Sequence, residues 1–157
     1  MAGYGGDATF YSSIEISASG LSAERLALDV IANNIANVNT TRTAGGGPFK
    51  RQLIVFAQKV DDGTKQQAEL AGHDPNQVGN LNGVKAVQLL DDPSPDKLVY
   101  DPGNPEADTQ GYVHYPNIEI IKEMVDMMTA QRAYEANVSA IKEARAMGNA
   151  VLGVLKA

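Results

Sequence analysis

Between Ile14 and Thr41 the large apolar residues recur every seven positions: Ile14, Leu21, Leu28 and Ile35. Seven residues is nearly two helical turns, so these side chains line one stripe of an α-helix. Ala18 and Ala32 stand four residues after two of them, and Ile31 and Val38 stand three after the last two. The stripe is therefore a seam of the kind a partner helix packs into. Nothing adjacent in sequence is built to cover it. Such a chain must find that cover in a distant part of itself or in another molecule.

The helix is expected to run from about Phe10 or Ser12 to about Val38, after a Gly-rich, disordered start over residues 1–9. Gly20 costs roughly 1 kcal/mol relative to Ala inside a helix, so it marks either a close helix approach or a fray. Asn33, Asn34, Asn37 and Asn39 carry two readings. Asn suits a helix that is running down, and Asn also hydrogen-bonds across helices and fixes their register. Thr40 to Pro48 is a breaker, with Gly45-Gly46-Gly47-Pro48 at its end.

A second helix is expected from about Asn117 to Leu155, with Asn117 as N-cap, Glu119 and Glu123 near its positive end and Lys156 at the other. Met127, Tyr134, Ile141 and Leu155 recur at multiples of seven with Gly148 in the missing place, and Val138 and Leu152 stand four after Tyr134 and Gly148. Met124, Val125 and Met128 widen that stripe near its start. Such a helix would be on the order of 55–60 Å long at 1.5 Å per residue, more than a domain of this size can hide.

The middle is turn-rich. Phe49–Val60 reads as a strand with a buried centre at Leu53–Phe56, and 83–90 as a second strand. Leu98–Tyr100 and Gly111–Tyr115 read as short strands, the first preceded by a turn that holds Pro93 and Pro95 and the two separated by one that holds Pro102 and Pro105. Residues 61–82 read as a polar, flexible excursion. The expected fold is α+β: long N- and C-terminal helices pairing as an α-helical coiled coil, with a small antiparallel β domain between them. The corresponding boundaries are 1–43 for the N-terminal helix, 44–116 for the β domain and 117–157 for the C-terminal helix.

Composition narrows function. The net charge of −6 and the lack of a basic stripe argue against nucleic acid and anionic membrane surfaces as partners. There is no Cys, so disulfides and thiolate metal sites are excluded. No apolar run approaches the ~20 residues that cross a bilayer, so no direct membrane insertion is expected. The first ten residues lack the basic start and apolar core of a secretory signal peptide.

Catalytic chemistry is not expected. His73 and His114 are far apart in sequence, and His114 alternates with tyrosines as a sheet-surface residue would. The aspartates between Asp91 and Asp108 sit beside Pro and Gly, where Asp serves turn hydrogen bonding. The Gly45-Gly46-Gly47-Pro48 loop leads into a strand and lacks the Lys-Ser/Thr of a phosphate-binding loop. No catalytic residue, metal ligand or cofactor is expected. The rival readings are a hydrolase using His114 with a neighbouring Asp, which needs a pocket, and a membrane-surface helix, which the acidic helix faces oppose.

Two terminal helices brought together as an antiparallel pair capped by the middle domain suggest ends that are loose in the monomer and order on assembly. Burial of an apolar side chain contributes roughly 1.5–3 kcal/mol, against about 1–2 kcal/mol per residue ordered. Head-to-tail packing of such pairs builds filaments or tubes rather than closed dimers.

Several motifs then become recognisable. Ser19-Gly-Leu-Ser-Ala-Glu-Arg25 and Asp29-Val-Ile-Ala-Asn-Asn-Ile-Ala-Asn37 resemble the N-terminal signature of bacterial flagellar axial proteins. Asn39–Thr43, Gly46–Gln52, Val99–Asp108, Gly111–Val113, Tyr115–Asn117, Glu123–Asp126 and Ala130–Val138 extend the resemblance to the proximal-rod family in particular. The leader through Asp7 is longer than usual for that family, and Asn104, Glu106 and Phe49-Lys50 depart from its pattern.

The resemblance implies a structural subunit of the flagellar basal-body rod, a hollow drive shaft in the periplasm that transmits torque and passes exported subunits. It implies export by the flagellar type III apparatus without a cleaved signal peptide. Its implied partners are other rod subunits and copies of itself, with the paired terminal helices forming the inner tube. The residues expected at the assembly interface are Ile14, Leu21, Leu28, Ile31, Asn34, Ile35, Asn37, Val38, Met127, Tyr134, Val138, Ile141, Leu152 and Leu155.

Overall fold

A computed structural model describes the backbone of residues 6–59 and 83–155, and side chains over 13–59, 83–151 and Gly153. The chain is α+β. Helix α1 spans Gly6–Ala36, strands follow at β1 (Gln52–Gln58), β2 (Val84–Asp91), β3 (Lys97–Tyr100) and β4 (Tyr112–Tyr115), and helix α2 closes the order at Ile120–Leu155. The excursion expected at 61–82 lies outside the described residues. So do the side chains of Leu152 and Leu155.

Both helices shift from their expected starts. α1 already includes residues 6–9, which were expected to be disordered. α2 begins at Ile120, not at Asn117. Pro116 keeps the chain before it extended, and the first helical carbonyl to accept is that of Glu119, from the Glu123 N–H at 3.0 Å. Glu119 is therefore the residue at the cap position.

The strands form two two-stranded sheets, β1 with β2 and β3 with β4. In the second, Lys97 pairs with Tyr115, Leu98 with His114, Val99 with Val113 and Tyr100 with Tyr112, antiparallel. The Tyr100 and Tyr112 rings meet edge to face at 5.2 Å, and Val113 is fully buried. The buried centre expected in β1 is not found. Leu53 and Ile54 are half-buried, and Val55 and Phe56 are exposed. A strand in a two-stranded ribbon has too few neighbours to cover both of its faces.

The chain divides into two compact units. One comprises 1–25, 56–87 and 131–157; the other comprises 26–55 and 88–130. Each joins one part of α1 to the opposite part of α2, which is the order of an antiparallel helix pair.

In the first unit, Gly20 faces α2. A Cβ placed on Gly20 would lie 2.8 Å from the Asn137 side-chain nitrogen, so the missing side chain allows a close helix approach. Ser19 Oγ donates to the Ile16 carbonyl at 2.6 Å and accepts from the Val84 N–H at 3.0 Å, which fixes the start of β2 to α1. Gly83 makes that turn at φ +88°, and a Cβ there would lie 2.0 Å from Ser19 Oγ. In the same unit the Lys59 N–H donates to the Gly83 carbonyl at 2.8 Å.

The second unit holds Ala27, Val30, Asn34, Val113, Glu123 and Ala130, all buried. Seven residues back along α1 from Asn34 is Ala27, and seven on along α2 from Glu123 is Ala130. With Asn34 against Glu123, an antiparallel pair places these two alanines level.

Gly83→Ala should cost about 2–3 kcal/mol, because the left-handed backbone disfavours any Cβ and Ser19 must leave its bond to Val84. The expected reading is a Tm lowered by on the order of 5–10 °C. An unchanged Tm would show that the 83 turn does not hold α1.

Candidate assembly site

The residues most buried on α1 are not its largest. Ala23, Ala27, Val30 and Asn34 are buried, at alternating spacings of four and three, and Gly20 and Ile16 continue the series. This seam lies about a third of a turn round the helix from the stripe of large aliphatics. Ile14, Leu21, Leu28, Ile31, Ile35 and Val38 are each half-buried along its flank. On α2 the buried positions are Glu123, Ala130 and Ala144, with Met127, Tyr134, Asn137 and Ile141 half-buried between them. Val138 is half-buried as well.

Small residues explain the arrangement. Short side chains let helix backbones approach closely, so Ala is sealed while the longer neighbours spread around the contact and stay partly uncovered. A search for large apolar residues finds Met127, Tyr134 and Ile141 but misses Glu123, Ala130, Asn137 and Ala144, which recur at the same seven-residue interval.

A polar clamp closes the seam in the second unit. Asn34 is 1% exposed and Glu123 is 0% exposed. Asn34 Nδ2 donates to Glu123 Oε2 at 3.1 Å and to the Gln52 carbonyl at 2.9 Å, and Asn34 Oδ1 accepts from the Gln52 N–H at 2.9 Å. One amide thus replaces a strand neighbour for β1 and reaches α2 as well. Arg51 Nε donates to the other Glu123 oxygen at 2.6 Å. Its remaining nitrogens lie 3.4 Å from Asp92 and 3.7 Å from Asp126.

Both readings of the asparagines therefore hold, at different positions. Asn34 bridges helix to helix. Asn37 ends the helix, donating to the Asn33 carbonyl at 2.9 Å and accepting from the Thr40 hydroxyl at 3.1 Å.

Burial works against the Arg51 charge, but the hydrogen bonds and attraction of Glu123 and Asp92 outweigh it and hold the guanidinium above the ordinary arginine value. Asp92 is held below the ordinary aspartate value first by the Ser94 hydroxyl and N–H, and then by Arg51. The Ser94 N–H bond to its carboxylate is 2.9 Å. Asp108 is lowered in the same direction, chiefly by the backbone N–H of Tyr112. These are the turn-bonding aspartates that the sequence suggested.

His114 is exposed on β4, as its alternation with tyrosines predicts. Its ring nitrogens stand 3.7 Å from Asp96 and 3.9 Å from Asp108, too far for hydrogen bonds. A cavity of about 460 Å³ beside it is lined by Thr41, Arg42, Pro48, Glu106 and Val113 among others. Thr41 there is hydrogen-bonded to Glu106, so its hydroxyl does not face the imidazole as a base. Among the described residues no group of three His, Asp or Glu is placed to hold a metal ion.

The second unit also carries an exposed apolar stripe at the start of α2. Ile121 is 80% exposed, and Ile120, Met124, Val125 and Met128 are about half exposed beside it. A groove of about 760 Å³, lined by Val38, Val99, Tyr115, Pro116, Ile118 and Ile121 among others, adjoins this stripe.

Comparison with known proteins places this architecture. Residues 14–42 match the family model for flagella basal body rod proteins, and residues 109–153 match that for the C-terminal part of flagellar basal body rod FlgEFG proteins. The flagellar basal-body rod protein FlgC of Borreliella burgdorferi is 43% identical over 150 residues, covering 93% of this chain and 97% of the relative. The chain belongs to the FlgC family. FlgC of Bacillus subtilis is 37% identical over 88% of this chain and 93% of its own length, and FlgC of Aquifex aeolicus is 40% identical over 83% and 85%. The matched segments contain α1 from Ile14 onward and nearly all of α2, the two elements that meet in the seam.

Glu123→Ala should destabilise the protein by roughly 3–5 kcal/mol, because Arg51 is left partly buried without its partner; Glu123→Gln, which still accepts from Asn34, should cost less. Urea unfolding measures both, and a neutral Glu123→Ala would refute the clamp. Asp92 contributes stability that is complete above the ordinary aspartate value and is lost as pH falls through its lowered native value. In a carboxyl NMR titration Ser94→Ala should raise the Asp92 midpoint more than Arg51→Gln does.

Proposed function

We propose that this chain is a structural subunit of the rod of the bacterial flagellar basal body, assembling with copies of itself and with other rod subunits through its terminal helices. The observation that carries this is the near end-to-end match to FlgC proteins, which are named for that role. The geometry agrees in kind. Within one chain the small-residue seam is covered, whereas Ile14, Leu21, Leu28, Ile31, Ile35 and Val38 keep part of their surface, and Ile121 keeps most of it. A neighbouring molecule would bury those side chains further.

The finer reading has the helices of many copies lining a hollow shaft that transmits torque and passes exported subunits. It includes delivery of the chain by the flagellar type III apparatus. The assembly residues remain Ile14, Leu21, Leu28, Ile31, Asn34, Ile35, Asn37, Val38, Met127, Tyr134, Val138, Ile141, Leu152 and Leu155, with Asn34 and Asn37 shaping the helix end that carries the others. The role needs no bound cofactor and no catalytic group. No helix among the described residues is long and apolar enough to cross a membrane, which suits a part held by protein contacts.

Leu28→Asp should abolish swimming and remove the protein from purified basal bodies, while Val113 keeps its folded methyl resonance. Ile121→Asp, at an exposed position, should leave monomer stability within about 0.5 kcal/mol and still reduce incorporation. Swimming cells that retain both variants in their basal bodies would overturn this reading.

A further inference from the structure

The clamp formed by Asn34, Arg51 and Glu123 is a costly way to fill a helix contact. A buried ion pair is held against desolvation, and apolar residues of similar volume often serve stability as well or better. Its use must lie elsewhere. The rest of the seam in the second unit supplies the reason: Ala27, Val30 and Ala130 are buried, and small or short apolar side chains select an offset only weakly because they pack against many apolar neighbours. A slip of one heptad would still set Val30 against an apolar side chain, Ile120 or Tyr134. Within this unit the polar residues are the ones that distinguish the offsets. Slipped by seven positions, Asn34 would face Ala130 or Glu123 would face Ala27, and a buried amide or carboxylate would lose its partner.

We propose that Asn34 and Glu123, with Arg51 as the counter-charge, are register-determining residues that fix the axial offset between α1 and α2. The strand takes part in the selection. Asn34 spends its carbonyl and one amide hydrogen on Gln52, and Arg51 is the residue before it, so β1 presents the guanidinium to Glu123 only when Asn34 is seated. The offset of the helices and the docking of β1 are thus a single event. Because the readout is within one chain, the inference stands or falls independently of the rod reading.

The chain has no Cys, so engineered thiols report the offset directly. The native pair is Ala27→Cys with Ala130→Cys, and the pair one heptad out of register is Val30→Cys with Ile120→Cys. In the otherwise unaltered chain under equilibrating thiol buffer, the native pair should oxidise at least ~10-fold more than the slipped pair, since a disulfide needs Cα atoms within about 7 Å. In the triple variant Asn34→Leu, Arg51→Met, Glu123→Leu, the chain should remain helical and cooperatively unfolding while the preference falls to within ~3-fold. A triple variant that folds and keeps the full preference overturns the proposal. If the triple variant does not fold, Asn34→Leu alone, which leaves Arg51 and Glu123 paired, decides by the same ratio: a preference that falls supports the assignment, and an unchanged one overturns it.

Discussion

A carboxylate with no exposed surface tolerates few surroundings. Glu123 sits near the start of α2 and is fully buried, so each of its oxygens must accept a hydrogen bond and its charge must be met. Arg51 and Asn34 satisfy both demands from two other elements. That requirement ties a strand and two helices to one point, and it limits how α1, β1 and α2 can meet within their unit. The neighbouring alanines then fill the space that this geometry leaves.

The two classes of apolar residue divide the work. Gly20, Ala23, Ala27 and Ala130 allow close approach and are covered inside the chain, so their contribution is spent on the monomer fold. Leu21, Leu28, Ile31 and Ile35 flank that contact and are only half covered. A helix pair built on small residues therefore leaves large aliphatic flanks half covered. The exposed start of α2, with Ile121, Met124 and Val125, adds apolar surface in the second unit. Met suits such a face because its flexible thioether adapts to an irregular partner. In the rod role proposed above, this surface would meet neighbouring subunits.

Much of the fold was legible from local pattern. Heptad spacing marked both helices, Pro93, Pro95 and Pro102 marked the turns, and the alternation Tyr112-Val113-His114-Tyr115 marked a strand with His114 outward. The site was legible only in part. Asn34 was singled out for its unusual place in a helix, but Glu123 read as a first-turn acid, Arg51 as a strand residue and Asp92 as a turn former. The clamp of Asn34, Arg51 and Glu123 arises from pairing across 72 and 89 positions of sequence, and no local pattern reports such distances. The one available signal was the interval joining Glu123, Ala130, Asn137 and Ala144, which hydrophobicity conceals because none of the four is large and apolar.

By itself, then, the sequence determined that two long helices flank a set of short strands, because periodicity and turn chemistry act over a few residues. It also carried the family signature. Only the tertiary structure decided which face of each helix is sealed, since that depends on how closely two backbones can approach. The same long-range packing made Glu123 a buried anchor: its environment is supplied almost entirely by residues remote from it in the chain.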